Sequence, residues 1–188
     1  MVYILSMEVM SDEGLVQQVI DGEFQKFGTL VERYTPKITR YVQKFLRTTD
    51  EAQDVVQNIF IKAYVNIRSF DVQRKFSPWI YRIAHNECIN EVQKRGKEKI
   101  SSFEAFDLDV IAPYLHSQHT TDKDAQEHET KQEVESMLEK LSPKYREVLI
   151  LYYLQDLEYR EISEVLHIPI ATVGVRIKRA KEMARKNI

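Results

Sequence analysis

Apolar residues recur three and four apart through most of the chain, the spacing of one face of an α-helix. In residues 23–46 they stand at Phe24, Phe27, Leu30, Val31, Tyr34, Ile38, Tyr41, Val42 and Phe45. Pro36 lies inside that run and predicts a kink or break, because proline lacks the N–H that the turn requires. A shorter helix precedes it over residues 11–21, with Ser11 as cap. A third opens at "TTDEAQD", where Thr49 or Asp50 can cap and the acidic first turn suits the positive end of the helix dipole. It carries Val55, Val56, Ile59, Phe60, Ala63, Tyr64 and Ile67 on one broad face. A fourth begins at "FSPWIYRIAHNECINEV" and ends near Gly96.

That fourth helix changes character along its length. On a helical wheel Phe76, Trp79, Ile80, Ile83 and Ala84 share a stripe, which continues as Glu87, Asn90, Glu91 and Lys94, all polar. The pattern therefore predicts core for about two turns and then a surface open to solvent or to a nucleic-acid strand. Trp79 is assigned to the core. Tyr81 and Arg82 lie off the stripe and are candidates for strand contact, although Tyr81 suits packing against a neighbouring helix equally well. An exposed aromatic stacks an unpaired base, and asparagine amides read base edges. Glu87 and Glu91 oppose that use, since carboxylates repel phosphates.

Residues 101–124 break the periodicity with Pro113 and scattered hydrophobics, and read as a linker. Helical spacing resumes over residues 124–141, over 143–155 with Ser142 as cap and Pro143 at the first helical position, and over 158–166 and 170–186. In "LEYREISEVLHIPIATVGVRIKRAKEMARK" a short helix ends at "LHIP" and a longer basic one starts at once. Ile162, Val165 and Leu166 can pack against Ile168, Val173 and Ile177. This is the pattern of a helix-turn-helix, whose second helix enters a major groove. His167 stands where a tight helix-ending turn usually takes glycine. Gly174 falls in the first turns of the second helix, and its missing side chain is expected on the face that meets base edges.

The predicted fold class is thus all-α: two small helical domains joined by a flexible acidic linker, the C-terminal one containing a helix-turn-helix. Residues 1–10 read as an N-terminal extension, with Met7 and Met10 as alternative starts. Residues 11–98 form the first domain, 99–124 the linker and 125–188 the second domain.

Composition narrows the function. Apolar residues are 43% and charged residues 30% of the 188, ordinary for a globular protein. The net charge of −2 argues against a protein that coats DNA unaided, because such binding depends on neutralising phosphates. The charge is uneven, however: the last 20 residues are strongly basic, while residues 101–130 carry Glu104, Asp107, Asp109, Asp122, Asp124, Glu127 and Glu129 against Lys123. Such a division suits a protein that works inside a larger assembly. The one cysteine, Cys88, permits no internal disulfide and suits a reducing cytoplasm. The opening residues lack the features of a signal peptide. His116, His119 and His128 are too loosely spaced for a metal site, and His85 with Cys88 supplies only two ligands, so neither metal nor cofactor is expected. No phosphate loop or nucleophile–base signature is present, so the chain is not expected to be an enzyme or to take a small-molecule substrate.

Three stretches together resemble the extracytoplasmic-function (ECF) group of bacterial sigma-70 family RNA polymerase sigma factors. "DEAQDVVQNIFIKAYVNIRSF" resembles the family's polymerase-docking helix, "RKFSPWIYRIAHNECINEVQKR" its −10 promoter helix, and "LSPKYREVLILYYLQDLEYREISEVLHIPIATVGVRIKRAK" its −35 promoter domain. The resemblance implies binding to core RNA polymerase through Asp54, Gln57, Asn58 and Lys62. It implies −10 recognition and melting through Arg74, Lys75, Tyr81, Arg82, Asn86, Asn90 and Lys94, with the loop "DVQRK" capturing a flipped base. It also implies −35 binding through Thr172, Val175, Arg176, Lys178, Arg179 and Lys181, a linker threading towards the polymerase cleft, and a membrane-linked anti-sigma factor as partner. The alternatives are a stand-alone helix-turn-helix regulator with a sensing or dimerising N-terminal domain, and a helical adaptor whose basic faces are merely solvated.

Overall fold

The computed structural model describes residues 10–46, 48–96, 137–138 and 140–186, and all regular secondary structure among them is helical. The linker, the histidines within it and most of the helix expected over residues 124–141 lie outside the described residues.

Helix α1 (Asp12–Ile20) starts where the Ser11 hydroxyl accepts the Gly14 N–H. It ends in a turn at Gly22, whose φ of 108° is a conformation that only glycine adopts without strain. Helix α2 (Lys26–Val42) buries Phe27, Leu30, Tyr34, Ile38, Tyr41 and Val42, following the predicted period. Phe24, expected on that face, precedes the helix and is exposed. The helix runs through Pro36 without a break. The Thr35 hydroxyl donates to the Val31 carbonyl at 2.7 Å, in the turn that the proline weakens. Helix α3 (Thr49–Val65) is capped by Thr48 rather than by Thr49 or Asp50, since the Thr48 hydroxyl accepts the Glu51 N–H. The cap lies one residue earlier because Thr48 is extended, whereas Thr49 already belongs to the helix.

Helix α4 (Phe76–Gly96) is fixed at its start by α1, where the Glu13 carboxylate accepts the Phe76 N–H at 2.9 Å. A cluster of edge-to-face and tilted aromatic contacts joins Phe76 to Tyr34, Phe70 and Trp79.

In the C-terminal half, α5 (Pro143–Leu149) has Pro143 in its first turn and continues as a π-helical turn over Ile150–Leu154. Ser142 occupies the cap position, but its side chain makes no capping bond. Arg146 is buried, and its guanidinium donates to the carbonyls of Leu138 and Leu141, so it ties down the end of the preceding segment. Helices α6 (Tyr159–Leu166) and α7 (Ile170–Lys186) form the helix-turn-helix. The two halves are closed against each other. Helix α4 packs on α3 on one side and on α6 on the other, and the buried side chains of both halves form one continuous hydrophobic cluster.

Candidate nucleic-acid interface

The turn between α6 and α7 is made by His167, in the left-handed region at φ 52° and ψ 40°. Its N–H and that of Ile168 both reach the Ser163 carbonyl, while the Ser163 hydroxyl donates to the Ile168 carbonyl at 2.6 Å. Histidine takes this conformation more readily than bulkier side chains, so the turn forms without glycine. Beyond it, α7 buries Val173, Ile177, Ala180 and Ala184, a stripe only about 60° wide at 100° per residue. The opposite side is open. Thr172, Val175, Arg176 and Arg179 follow one another at i, i+3, i+4 and i+7 as a ridge, with Lys178 beside it. Val175, Lys178 and Arg179 are exposed, and Thr172 and Arg176 are half-buried.

Two details of α7 differ from the sequence reading. Lys181 sits at the edge of the buried stripe, with its ammonium 5.1 Å from the Tyr153 ring centre and 5.6 Å from that of Tyr152. Hydrogen bonding to Tyr153 pushes its pKa up. The cation therefore faces the end of α5 instead of joining the ridge. A side chain at Gly174 would point at the Tyr159 ring, 3.6 Å away, and not at base edges. Helix α7 is rotated so that residue 174 lies towards α6.

The loop at residues 71–75 is preformed. The Asp71 carboxylate accepts the Gln73 N–H at 3.0 Å, and the Asp71 carbonyl accepts the Arg74 N–H at 2.9 Å. Arg74 and Lys75 are thereby presented at the mouth of a cavity of about 130 Å³, which Trp79, Arg82, Glu161 and Glu164 also line. Along α4, Arg82, Asn86, Asn90 and Lys94 recur every fourth residue as one stripe, with Asn86, Asn90 and Lys94 exposed. Glu87 and Glu91, adverse to phosphates, are both engaged: Lys62 meets Glu87 at 2.5 Å and Lys94 meets Glu91 at 3.3 Å.

Tyr81 does not join that stripe. It is 0% exposed and packs edge-on against Tyr41, with its hydroxyl pKa raised by burial. The prediction that α4 stops being core after two turns also fails, because His85 and Cys88 are buried as well. Both departures have one cause. With α3 and α6 packed on it, Tyr41 of α2 against Tyr81 and Glu147 of α5 against His85, the buried arc of α4 spans about 180° at 100° per residue, and it takes in positions that a single apolar stripe leaves out.

On α3 the residues expected to meet polymerase, Asp54, Gln57, Asn58 and Lys62, are all exposed. Sequence reasoning missed what lies beside them. Ile61 is 52% exposed and Val65 73%, and Tyr64, expected in the core, is 42% exposed with its ring edge-on to Phe27. Ile61 and Tyr64 border a groove of about 580 Å³ between α2 and α3, lined also by Phe27, Val31, Val56, Gln57 and Phe60 among others. The available signal was two β-branched residues four apart, on the wrong side of the helix for the core. Among the described residues no cluster of histidine, cysteine and carboxylate side chains could hold a metal ion.

The family model described as Sigma-70 region 2 matches residues 30–98, and that described as Sigma-70, region 4 matches residues 131–183. The chain is 36% identical over 178 residues to the "ECF RNA polymerase sigma factor SigW" of Bacillus subtilis, covering 92% of this chain and 94% of that one. It belongs to the ECF group of the sigma-70 family. Region 2 thus takes in α3, α4 and the 71–75 loop, and region 4 takes in α5, α6 and α7. Like other sigma factors, this one recognises promoters and initiates transcription.

Solved structures agree with the fold. CnrH, in complex with the cytosolic domain of CnrY, is 25% identical with a TM-score of 0.64, covering 93% of this chain and 95% of that one. The sigma factor RpoE of Bartonella quintana, in complex with the anti-sigma factor NepR, is 22% identical with a TM-score of 0.68, covering 86% of this chain and 96% of that one.

Proposed function

We infer that this sigma factor docks on core RNA polymerase through α3, reads a −35 element with the ridge of α7, and opens a −10 element with α4 and the 71–75 loop. The observation that carries the reading is α7 itself. A tight turn releases a helix with a narrow buried stripe and a ridge on which Val175 and Arg179 are exposed, downstream of a region 2 in the same chain. Thr172, Val175, Arg176 and Arg179 face the base edges and Lys178 a phosphate. Arg82, Asn86, Asn90 and Lys94 follow the non-template strand, while Arg74 and Lys75 receive the flipped base and its phosphates. A basic loop and an amide-bearing stripe are the chemistry that an unpaired strand requires.

Asp54, Gln57 and Asn58 supply polar contacts to polymerase, and Ile61 and Val65 the apolar ones. An anti-sigma factor is a further partner, a reading supported by the shared fold of RpoE of Bartonella quintana, which was solved with the anti-sigma factor NepR. The units are residues 11–98 and 125–188 on the linker 99–124, which accords with the two matched regions. Phosphodiester chemistry belongs to the polymerase, and this chain is not catalytic. No described helix is long and apolar enough to cross a membrane. Work on promoter DNA is what supports a cytoplasmic location. Two promoter-binding regions in series favour this reading over a stand-alone regulator.

The test is transcription by purified core polymerase from a randomised promoter pool, with and without the protein. The templates that yield transcripts, identified by a transcribed barcode, are expected to be enriched in two motifs at fixed spacing. Absence of enrichment together with failure to co-purify with core polymerase would sink the reading.

A further inference from the structure

The cations of the 71–75 loop are already occupied by the protein itself. Glu158, the N-cap of α6, and Glu161 and Glu164 within the helix stand at i, i+3 and i+6, and all three face the loop. Lys75 Nζ lies 3.1 Å from both Glu158 Oε1 and Glu161 Oε1, and Arg74 is paired with Glu164. The first two carboxylates are held in place by a capping box, in which the Glu158 N–H donates to Glu161 Oε2 at 2.7 Å. Their hydrogen bonds keep the Lys75 ammonium above its ordinary pKa, Glu161 contributing most. The cavity that a base would enter is walled by the same Glu161 and Glu164.

We propose that α6 is an intramolecular competitor for the −10 strand, its three carboxylates standing where phosphates would stand and keeping the 71–75 loop closed until the two halves part. This rests on the reading of Arg74 and Lys75 as strand-capturing residues.

The contact divides into a holding part and an exchangeable part. The side chains of Arg74 and Lys75 stay 56% and 57% exposed, so each pair is weakened by water and salt and is open to exchange. The interface is held elsewhere, where Glu147 of α5 enters a niche between α2 and α4. The Tyr41 hydroxyl donates to Glu147 Oε1 at 2.5 Å, and His85 Nδ1 meets the same oxygen at 2.8 Å. This closure leaves α7 free while it covers the −10 loop, so the two promoter elements become readable under different conditions.

The experiment uses the full chain without polymerase and a fluorescein-labelled, mixed-sequence 12-nucleotide single strand, read by anisotropy. The variant Glu158→Gln, Glu161→Gln, Glu164→Gln is compared with a charge-matched control, Asp21→Asn, Glu23→Gln, Glu32→Gln, whose sites are exposed on the N-terminal half. The α6 variant is expected to bind about tenfold tighter than the control, and adding Arg74→Gln and Lys75→Gln should erase the difference. Glu164→Gln alone, outside the capping box, should give part of the gain and guards against a folding defect in the triple variant. A gain no larger than the control's, or one that survives loss of Arg74 and Lys75, overturns the proposal. Holoenzyme carrying Arg74→Gln and Lys75→Gln separates the two levels. Unchanged strand opening by permanganate footprinting would overturn the −10 reading and the proposal with it. Reduced opening without a gain in the α6 variant would overturn the role of α6 alone.

Discussion

Helices α4 and α7, proposed above to face the promoter, both have basic C-terminal ends, yet they are built in opposite ways. Helix α7 buries four side chains in a narrow stripe and leaves most of its circumference to solvent. Helix α4 buries about half of its circumference between α3 and α6, and its polar stripe is what remains. A helix held on one side can enter a groove as it stands. A helix held on two sides is stiffer and better placed to hold a strand apart, but it can be covered by the element that packs on it.

The sharpest way to break the comparison is to remove a side chain from the doubly packed helix. Ile80→Ala should cost about 3–4 kcal/mol in urea unfolding, whereas Val175→Ala on the open ridge should stay within about 0.5 kcal/mol. Equal costs would mean that α4 is not the keystone described.

A second test uses pH. Tyr34, Tyr41 and Tyr81 all pack around α4, and burial is the largest cause holding each hydroxyl pKa above the ordinary 10.0. The folded state therefore keeps protons that the unfolded chain releases, so stability is intact below pH 10 and falls above it. Each ring contributes up to about 1.4 kcal/mol per pH unit. Unfolding monitored by circular dichroism from pH 8 to 11.5 should show the decline beginning near pH 10, and a flat profile would contradict this burial.

Function should divide along the same line. Lys178→Ala with Arg179→Ala should weaken −35 duplex binding by the holoenzyme about tenfold or more and reduce its salt dependence, with strand opening of the bound fraction unchanged. Asn86→Ala with Asn90→Ala should do the reverse, lowering open-complex yield by about 1–2 kcal/mol while duplex binding persists. If both pairs affect the same step, the division of labour is wrong. The smallest effect concerns Gly174. Alanine there meets only the Tyr159 ring at an ordinary contact distance, so Gly174→Ala should stabilise by up to about 1 kcal/mol and leave −35 preference unaltered. A changed preference would return that position to the base-reading face.

Local pattern carried much of this protein. The helical spacing, the Ser11 cap, the break at "LHIP", the basic last helix and the three motifs were all legible, because each depends on residues within a few turns of one another. Where reading failed, the missing quantity was a neighbour far away in sequence. Tyr81, His85 and Cys88 lie off the apolar stripe of α4, and only packing on both sides makes them core. Lys181 reads as one more basic residue until the Tyr152 and Tyr153 rings are placed beneath it. Ile61 and Val65 lie off the face assigned to the core of α3, and the fold leaves them uncovered. The pairing of Arg74 and Lys75 with α6 joins positions more than 80 residues apart. Periodicity determines which face of a helix is apolar and what chemistry the other face carries. How many neighbours a helix has, and which of its charges they take, is decided by tertiary packing, since burial and ion pairing depend on groups that the local sequence does not contain.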